Sequence, residues 1–132
     1  MSQIPVVYND AYDFHVPPTH RFNGTKFSKL VYHLQRSDFS KQLDFIPSVP
    51  VRYEDIKRAH ANDYVQRVAT GALLREEVRQ INLPINTQLI KRSFLALNGT
   101  YKTALKALQT GVACHAAGGT HHAHYSHGSG FC

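Results

Sequence analysis

The chain has 132 residues, of which 42% are hydrophobic, and this is enough for one domain with a buried core. It carries 15 Lys and Arg residues against 9 Asp and Glu residues, so its net charge is +6. The basic residues are scattered, and because no run is as dense as a nucleic-acid-binding arm, direct nucleic-acid binding is not expected.

The apolar and proline patterns of the N-terminal part predict one short strand and several short helices. A β-branched run at residues 4–7 predicts a buried strand, and apolar residues at helical spacing predict a helix over residues 26–36. Residues 45–51 contain two prolines and predict an extended connection. Short helices are predicted over residues 53–60, from Asn62 or Asp63 to a stop at Gly71, and over residues 73–78.

The clearest helical pattern covers residues 87–110, where a wide apolar stripe repeats at helical spacing. Asn86 or the first residue of this pattern can cap its start, and Gly111 can cap its end. Gly99 interrupts the pattern and predicts a kink or a close helix contact. Residues 112–116 are apolar and directly follow this helix, which is typical of a buried parallel strand.

Residues 118–132, which read GGTHHAHYSHGSGFC, follow that predicted strand. In open α/β sheets ligands bind beyond the carboxyl ends of the strands, so this segment is a candidate site. His121 and His122 are adjacent, and in a glycine-anchored loop both rings can converge. Imidazole exchanges protons near neutral pH, so one ring can take a proton from water while the other stays charged. Phe131 can line a pocket beside them.

Metal binding is a second interpretation of the histidine-rich segment. Five histidines fall between residues 115 and 127, but the HHxH-xx-H pattern lacks a companion cysteine or carboxylate, so it matches a structural zinc site poorly. A non-catalytic His-rich binding module therefore stands as the alternative function. His33 and His60 are expected to pack or hydrogen-bond at helix surfaces.

The location is expected to be cytoplasmic. The first ten residues, MSQIPVVYND, lack the basic and apolar segments of a secretory signal. No apolar run approaches the length that spans a membrane, so no membrane partner is expected. Cys114 and Cys132 form no CxxC pair and indicate no disulfide framework.

The glycine–histidine segment also carries a resemblance to a known family. Residues 118–123, GGTHHA, followed by GFC at residues 130–132, resemble the GGxHHA…GFC block of the histone deacetylase superfamily. That superfamily includes bacterial acetoin-utilisation proteins and acetylpolyamine amidohydrolases. The interval between the second histidine and the GFC glycine is similar to the family pattern without a gap.

Further segments upstream carry the same resemblance. Residues 20–27 resemble the HRFP-x-x-KY segment of the bacterial and class IV-like branch, with Asn23 in place of the proline. Residues 58–65 resemble the VHxxxYV helix of the family. Residues 98–100 resemble its GGT-type segment, so the resemblance covers nearly the whole chain.

The resemblance implies an α/β fold of the arginase/deacetylase type, with three layers and a central parallel sheet. It also implies zinc-dependent hydrolysis of an N-acyl amine, such as acetyl-lysine, an acylpolyamine or a small molecule. By motif, His122 would be the general base and His121 its electrostatic or general-acid neighbour. Gly130 would offer its backbone carbonyl to the substrate, and Phe131 would form a wall of the acyl-lysine tunnel.

The family's zinc ligands, an Asp-x-His segment and a later aspartate, lie downstream of the GFC motif. Residues 1–132 are therefore interpreted as the N-terminal part of a deacetylase-like catalytic domain, truncated after that motif. On this interpretation zinc belongs to the complete domain, its ligands are absent from this chain, and a missing C-terminal half is a candidate partner. We expect the chain alone to be inactive and marginally stable, since a sheet that is cut short leaves an unpaired edge.

Overall fold

The computed structural model describes residues 3–132, and a parallel sheet lies at its centre. Its strands are β1 (Ile4–Tyr8), β2 (Leu43–Pro47) and β3 (Cys114–His115), in the order β2-β1-β3. In the central strand β1, Val6 pairs with Phe45 on one side and with Cys114 on the other. The carboxyl ends of all three parallel strands therefore lie at the same edge of the sheet.

The helices of the described residues differ widely in length. Two single 3-10 turns, at Asp10–Tyr12 and Ser40–Gln42, follow β1 and precede β2. The α-helices of the described residues are α1 (Lys26–Gln35), α2 (Tyr53–Ile56), α3 (Asn62–Thr70), α4 (Arg75–Ile81) and α5 (Thr87–Thr110).

Both faces of the sheet are covered by helices. Val6 packs with Val31 of α1 on one face. Val7 is fully buried and, because side chains alternate along a strand, points to the other face, where α5 contacts β1. The chain is thus an α/β protein, as expected from the sequence, with α1 and α5 on opposite sides of a small parallel sheet.

The predicted strand at the start and the two longest predicted helices are confirmed. The start of α5 is fixed by Asn86, whose side chain accepts a hydrogen bond from the Leu89 N–H, and its end by Gly111 in the left-handed region. Gly71 likewise ends α3 with left-handed geometry, as predicted. The start of α3 differs, because the N-cap is Ala61 and makes no side-chain cap.

The extended connection predicted over residues 45–51 is wrong in part, because β2 occupies its first residues. The prolines hid a strand that pairs with β1 along its whole length. Pro47 is tolerated because β2 lies at an edge of the described sheet and Pro47 is its last residue. The predicted parallel strand after α5 is confirmed, but β3 is shorter than residues 112–116 and is not buried as predicted, because Cys114 is exposed and His115 only half-buried.

The interpretation of Gly99 needs correction. The sequence predicts a kink or a close helix contact there, and the kink is wrong, because α5 is one helix from Thr87 to Thr110. A Cβ at Gly99 would instead overlap the Tyr12 hydroxyl and the His115 ring. Gly99 is therefore needed where α5 crosses two aromatic side chains that lie against the sheet.

The C-terminal half of α5 presents apolar side chains to solvent. Tyr101 is 61% exposed and Leu108 84%, although both belong to the predicted apolar stripe. Marginal stability of the chain alone stays a prediction. Within residues 3–132 none of the helices combines the length and the apolarity needed to cross a membrane, and the cytoplasmic location also stays a prediction.

Candidate active site

The glycine–histidine loop, residues 118–132, begins just beyond the carboxyl end of β3. Ala116 and Ala117, which lead into it, are buried at 4% and 8% exposure. Gly118 then adopts a left-handed φ of 60°, which turns the chain away from the sheet. The loop thus lies where ligands bind in open α/β sheets, as predicted.

The far end of the loop is anchored to α4 through its backbone. The Gly130 N–H donates to the Gln80 carbonyl at 3.0 Å, and the Phe131 N–H donates to the Ile81 carbonyl at 2.8 Å. Gly130 and Phe131 both have positive φ, 52° and 70°. Positive φ is uncommon for a phenylalanine, so these two hydrogen bonds hold a strained segment in place.

His121 and His122, here called the histidine pair, lie together as the sequence predicts. Their ring centroids are 4.4 Å apart, the ring planes are inclined at 38°, and both residues are exposed to solvent. The His122 ring packs on Gly130, where an added Cβ would lie 2.9 Å from Cδ2 of His122. Two imidazoles in contact can pass a proton between water and a bound molecule, and Gly130 is the residue that admits the ring.

Phe131 belongs to an aromatic group with residues of the segment before α1. Its ring centroid lies 5.8 Å from that of Phe22 and 5.4 Å from that of His20. The Phe22 N–H donates to Nδ1 of His20, which leaves Nε2 of His20 to donate to the Asn82 carbonyl at 2.9 Å. His20 is thus fixed behind Phe131.

An apolar cavity of about 400 Å³ lies on the other side of the loop. Phe131 and the segment Gly118–Thr120 line it, whereas the histidine pair does not. Apolar side chains of α3 and α5 form a large part of its remaining wall, and Ile81 of α4 also lines it. The loop therefore separates the exposed rings from an apolar interior, with Phe131 at the border.

The other two histidines of the loop form a second stack. An antiparallel bridge joins Ala123 to Gly128, and the rings of His124 and His127 lie 4.3 Å apart and nearly parallel. The family pattern leaves both positions variable, so both histidines are expected to face solvent. This is correct for His124 but wrong for His127, which is half-buried and lines the cavity. His60 hydrogen-bonds as predicted, through Nδ1 to the His124 carbonyl at 2.8 Å.

A buried polar group behind β3 was not predicted. Nε2 of His115 lies 2.8 Å from the Tyr12 hydroxyl, and Nε of Arg92 donates to the Tyr12 carbonyl at 2.9 Å. Burial, and then the Arg92 charge, lower the pKa of His115. Burial also lowers the pKa of Arg92, whose guanidinium lies 4.5 Å from the Phe27 ring centroid. The one signal in the sequence is a histidine within an otherwise apolar strand.

The zinc implied by the family resemblance was tested against the residues present. Within residues 3–132 no group of three or more His, Cys, Asp or Glu side chains is placed to hold a metal ion. A zinc centre needs three or four such ligands, so the described residues do not fit one. That the zinc ligands lie outside this chain stays a prediction.

Residues 20–132 match the family model described as the histone deacetylase domain. The chain belongs to the histone deacetylase family. An uncharacterized protein of Picosynechococcus sp. is 39% identical over 130 residues, which cover 97% of this chain and 43% of that protein. Histone deacetylase 2 of Arabidopsis thaliana is 21% identical over 141 residues, which cover all of this chain and 36% of that protein. The chain spans about two fifths of the length of these relatives.

Membership of the histone deacetylase family agrees with the motifs that carry the resemblance. The matched region begins at His20, the first residue of the HRF segment, and includes the histidine pair and the GFC residues. It also includes the GGT-type segment around Gly99. The first strand and Tyr12 lie before the matched region but within the described fold. The family is one of hydrolases, and the bacterial or class IV-like branch stays a prediction.

Proposed function

We propose that this chain is the N-terminal part of the catalytic domain of a deacetylase-like amidohydrolase with the arginase/deacetylase fold. The whole protein would remove acyl groups from N-acyl amines such as acetyl-lysine, an acylated polyamine or a small acylated molecule. The observation that carries the proposal is the histidine pair, with rings 4.4 Å apart and His122 seated on Gly130, in a chain of this family.

The histidine pair would handle the protons of the hydrolysis. His122 takes a proton from a water molecule as the water oxygen bonds to the acyl carbon. His121, when protonated, stabilises the negative charge that develops on the acyl oxygen. As the C–N bond breaks, a proton passes from the pair to the leaving amine, and the products are a carboxylic acid and an amine. The solvent exposure of both rings gives water access to them.

Gly130 and Phe131 would hold the substrate. The Gly130 N–H is already engaged by Gln80, so its carbonyl is the group that we assign to a substrate N–H. The Phe131 ring, backed by Phe22 and His20, offers an apolar wall for the alkyl stem of a lysine or a polyamine. Zinc, which the resemblance implies, would need ligands other than the described residues, and no step is assigned to it.

The natural polypeptide that carries this chain should be assayed with an acetyl-lysine peptide and with an acetylated polyamine. His122→Ala should lower kcat/KM by about 100-fold or more, the usual effect of removing a general base. His124→Ala is the matched control, because it removes an exposed imidazole from the same loop and should change kcat/KM less than about twofold. Full activity of His122→Ala, or an equal loss in both variants, would contradict the proposal.

The 132-residue chain alone is predicted to show no turnover on either substrate, with or without added zinc. Turnover by this chain that His122→Ala abolishes would show that it needs no C-terminal half. For the natural polypeptide, comparison of kcat/KM for the acetyl-lysine peptide and for the acetylated polyamine separates a protein deacylase from a polyamine amidohydrolase.

A further inference from the structure

His115 is a titratable side chain beneath the candidate site that the proposed reaction does not use. It is the last residue of β3, and Ala116 and Ala117 alone separate it from Gly118, where the loop begins. The register of β3 with β1 covers only two residue pairs, so backbone pairing holds this strand through few hydrogen bonds. The contacts of the imidazole therefore bear on where the loop starts.

The His115 ring is engaged at both of its nitrogens. Nε2 lies 2.8 Å from the Tyr12 hydroxyl, and Nδ1 lies 3.3 Å from Oγ1 of Thr100 in α5. The Tyr12 hydroxyl also lies 3.0 Å from Oγ of Ser48, which is buried. Tyr12 itself is 1% exposed, and its ring stands edge-on to the imidazole. These contacts join β3 to α5, to the turn after β1 and to the segment after β2.

The surroundings of His115 leave it little freedom. Gly99 brings α5 so close that an added Cβ would overlap both the Tyr12 hydroxyl and Nε2 of His115. The Arg92 side chain lies on the same side and donates to the Tyr12 carbonyl. A ring that is wedged between a helix and a buried tyrosine, with both nitrogens bonded, has one available orientation.

We propose that His115 is a positioning residue for the proposed deacylation, because its ring, fixed between Tyr12 and Thr100, sets where the histidine pair lies. This assignment rests on the proposed function. His115 does not belong to the pair and acts through the buried backbone that leads into the loop. The far end of the loop is held separately, by backbone hydrogen bonds to α4. A shift at the β3 end therefore moves the pair relative to Gly130, on which His122 packs.

The test removes one hydroxyl partner of His115 at a time, by Tyr12→Phe and by Thr100→Val. Tyr101→Phe is the matched control, since it removes a hydroxyl from a side chain that is 61% exposed on α5. The natural polypeptide that carries this chain is labelled with ¹⁵N-histidine, and the ring signals of the histidine pair are compared among the variants. We expect these signals to move in both test variants and to stay in place in the control.

Kinetics in the same variants give the second readout. We expect kcat to fall by about tenfold with KM within about twofold, because displacement of the pair impairs the reaction and leaves substrate binding intact. Ring signals of the pair that stay in place while those of His115 move would overturn the assignment, whether or not the polypeptide has activity. A polypeptide without deacylase activity would refute the proposed function, whereas the ring signals would still decide the positioning role. If the Tyr12→Phe variant does not fold, the Thr100→Val variant, which changes an exposed residue, decides the positioning role.

Discussion

Replacing Gly99 by alanine should lower the free energy of unfolding by about 2 kcal/mol, although alanine is the better helix former. Gly99 lies within α5 and is buried. An added Cβ would overlap the Tyr12 hydroxyl and Nε2 of His115. Neither ring can swing aside freely, since Tyr12 is 1% exposed and its hydroxyl also contacts Ser48. The helix and the sheet must therefore move apart, and the hydrogen bond between the rings is lost.

The magnitude follows from three effects. Overpacking of a close contact costs about 1–3 kcal/mol. Loss of the hydrogen bond between Tyr12 and His115 removes about 1 kcal/mol. Against these, alanine in place of glycine inside a helix contributes about 1 kcal/mol of stability. The two losses outweigh the gain, and about 2 kcal/mol of destabilisation remains.

Urea denaturation of the chain measures this difference, with Gly119→Ala as the matched control. Gly119 has no atom within 4 Å of an added Cβ and no positive φ, so alanine there should stabilise the chain by up to about 1 kcal/mol, through the unfolded state. Gly99→Ala should also be less damaging in a Tyr12→Phe background, because one of the overlapping atoms is gone. A Gly99→Ala chain as stable as the wild type would refute the reasoning.

Three further predictions concern charge, pH and the loop. Glu77→Gln should lower the melting temperature more than Asp55→Asn, since Glu77 is 10% exposed in its ion pair with an arginine and Asp55 is 35% exposed; thermal melts of both variants check this. Burial lowers the pKa of His115 in the folded chain, so as the pH falls the imidazole is protonated more readily in the unfolded chain than in the folded one. The free energy of unfolding should therefore fall as pH drops below about 6.5. Urea titrations between acidic and neutral pH should show a smaller fall for His115→Asn. Gly130→Ala should reduce deacylation by the natural polypeptide, because φ is 52° and the Cβ would press on the His122 ring; unchanged turnover would contradict this.

Local signals predicted the parts of the fold that local interactions determine. The bounds of α5 follow from an apolar repeat, an asparagine cap and a terminal glycine, all of which act within a few residues. The strand β2 escaped prediction because Pro47 at its end and Pro50 just after it argue against a strand, and its partner β1 lies far away in the sequence. Pairing between distant segments decides such a strand, and no pattern within residues 43–47 reports it.

The candidate site was predictable to a different degree. The resemblance picked out the histidine pair and Gly130, but only the structure shows that His122 packs on Gly130. The group around His115 joins it to Tyr12 across 103 positions of the sequence, and no spacing rule connects them. The half-burial of His127 was not predictable from the loop alone, because this residue lines a cavity together with residues that are distant in the sequence.

The two ends of the loop are held by interactions of different kind, and this decides how each end responds to substitution. At the GFC end, backbone N–H groups bond to α4, so a change there matters through φ and through contact with His122. At the β3 end the hold depends on side chains, since the strand pairing is short. A substitution at His115 would therefore need a compensating substitution at Tyr12 or in α5 to keep the β3 end of the loop in place. A side chain at the exposed tip of the loop can change without one. We therefore expect geometry at the histidine pair to respond to His115, which the proposed reaction does not use, as well as to Gly130.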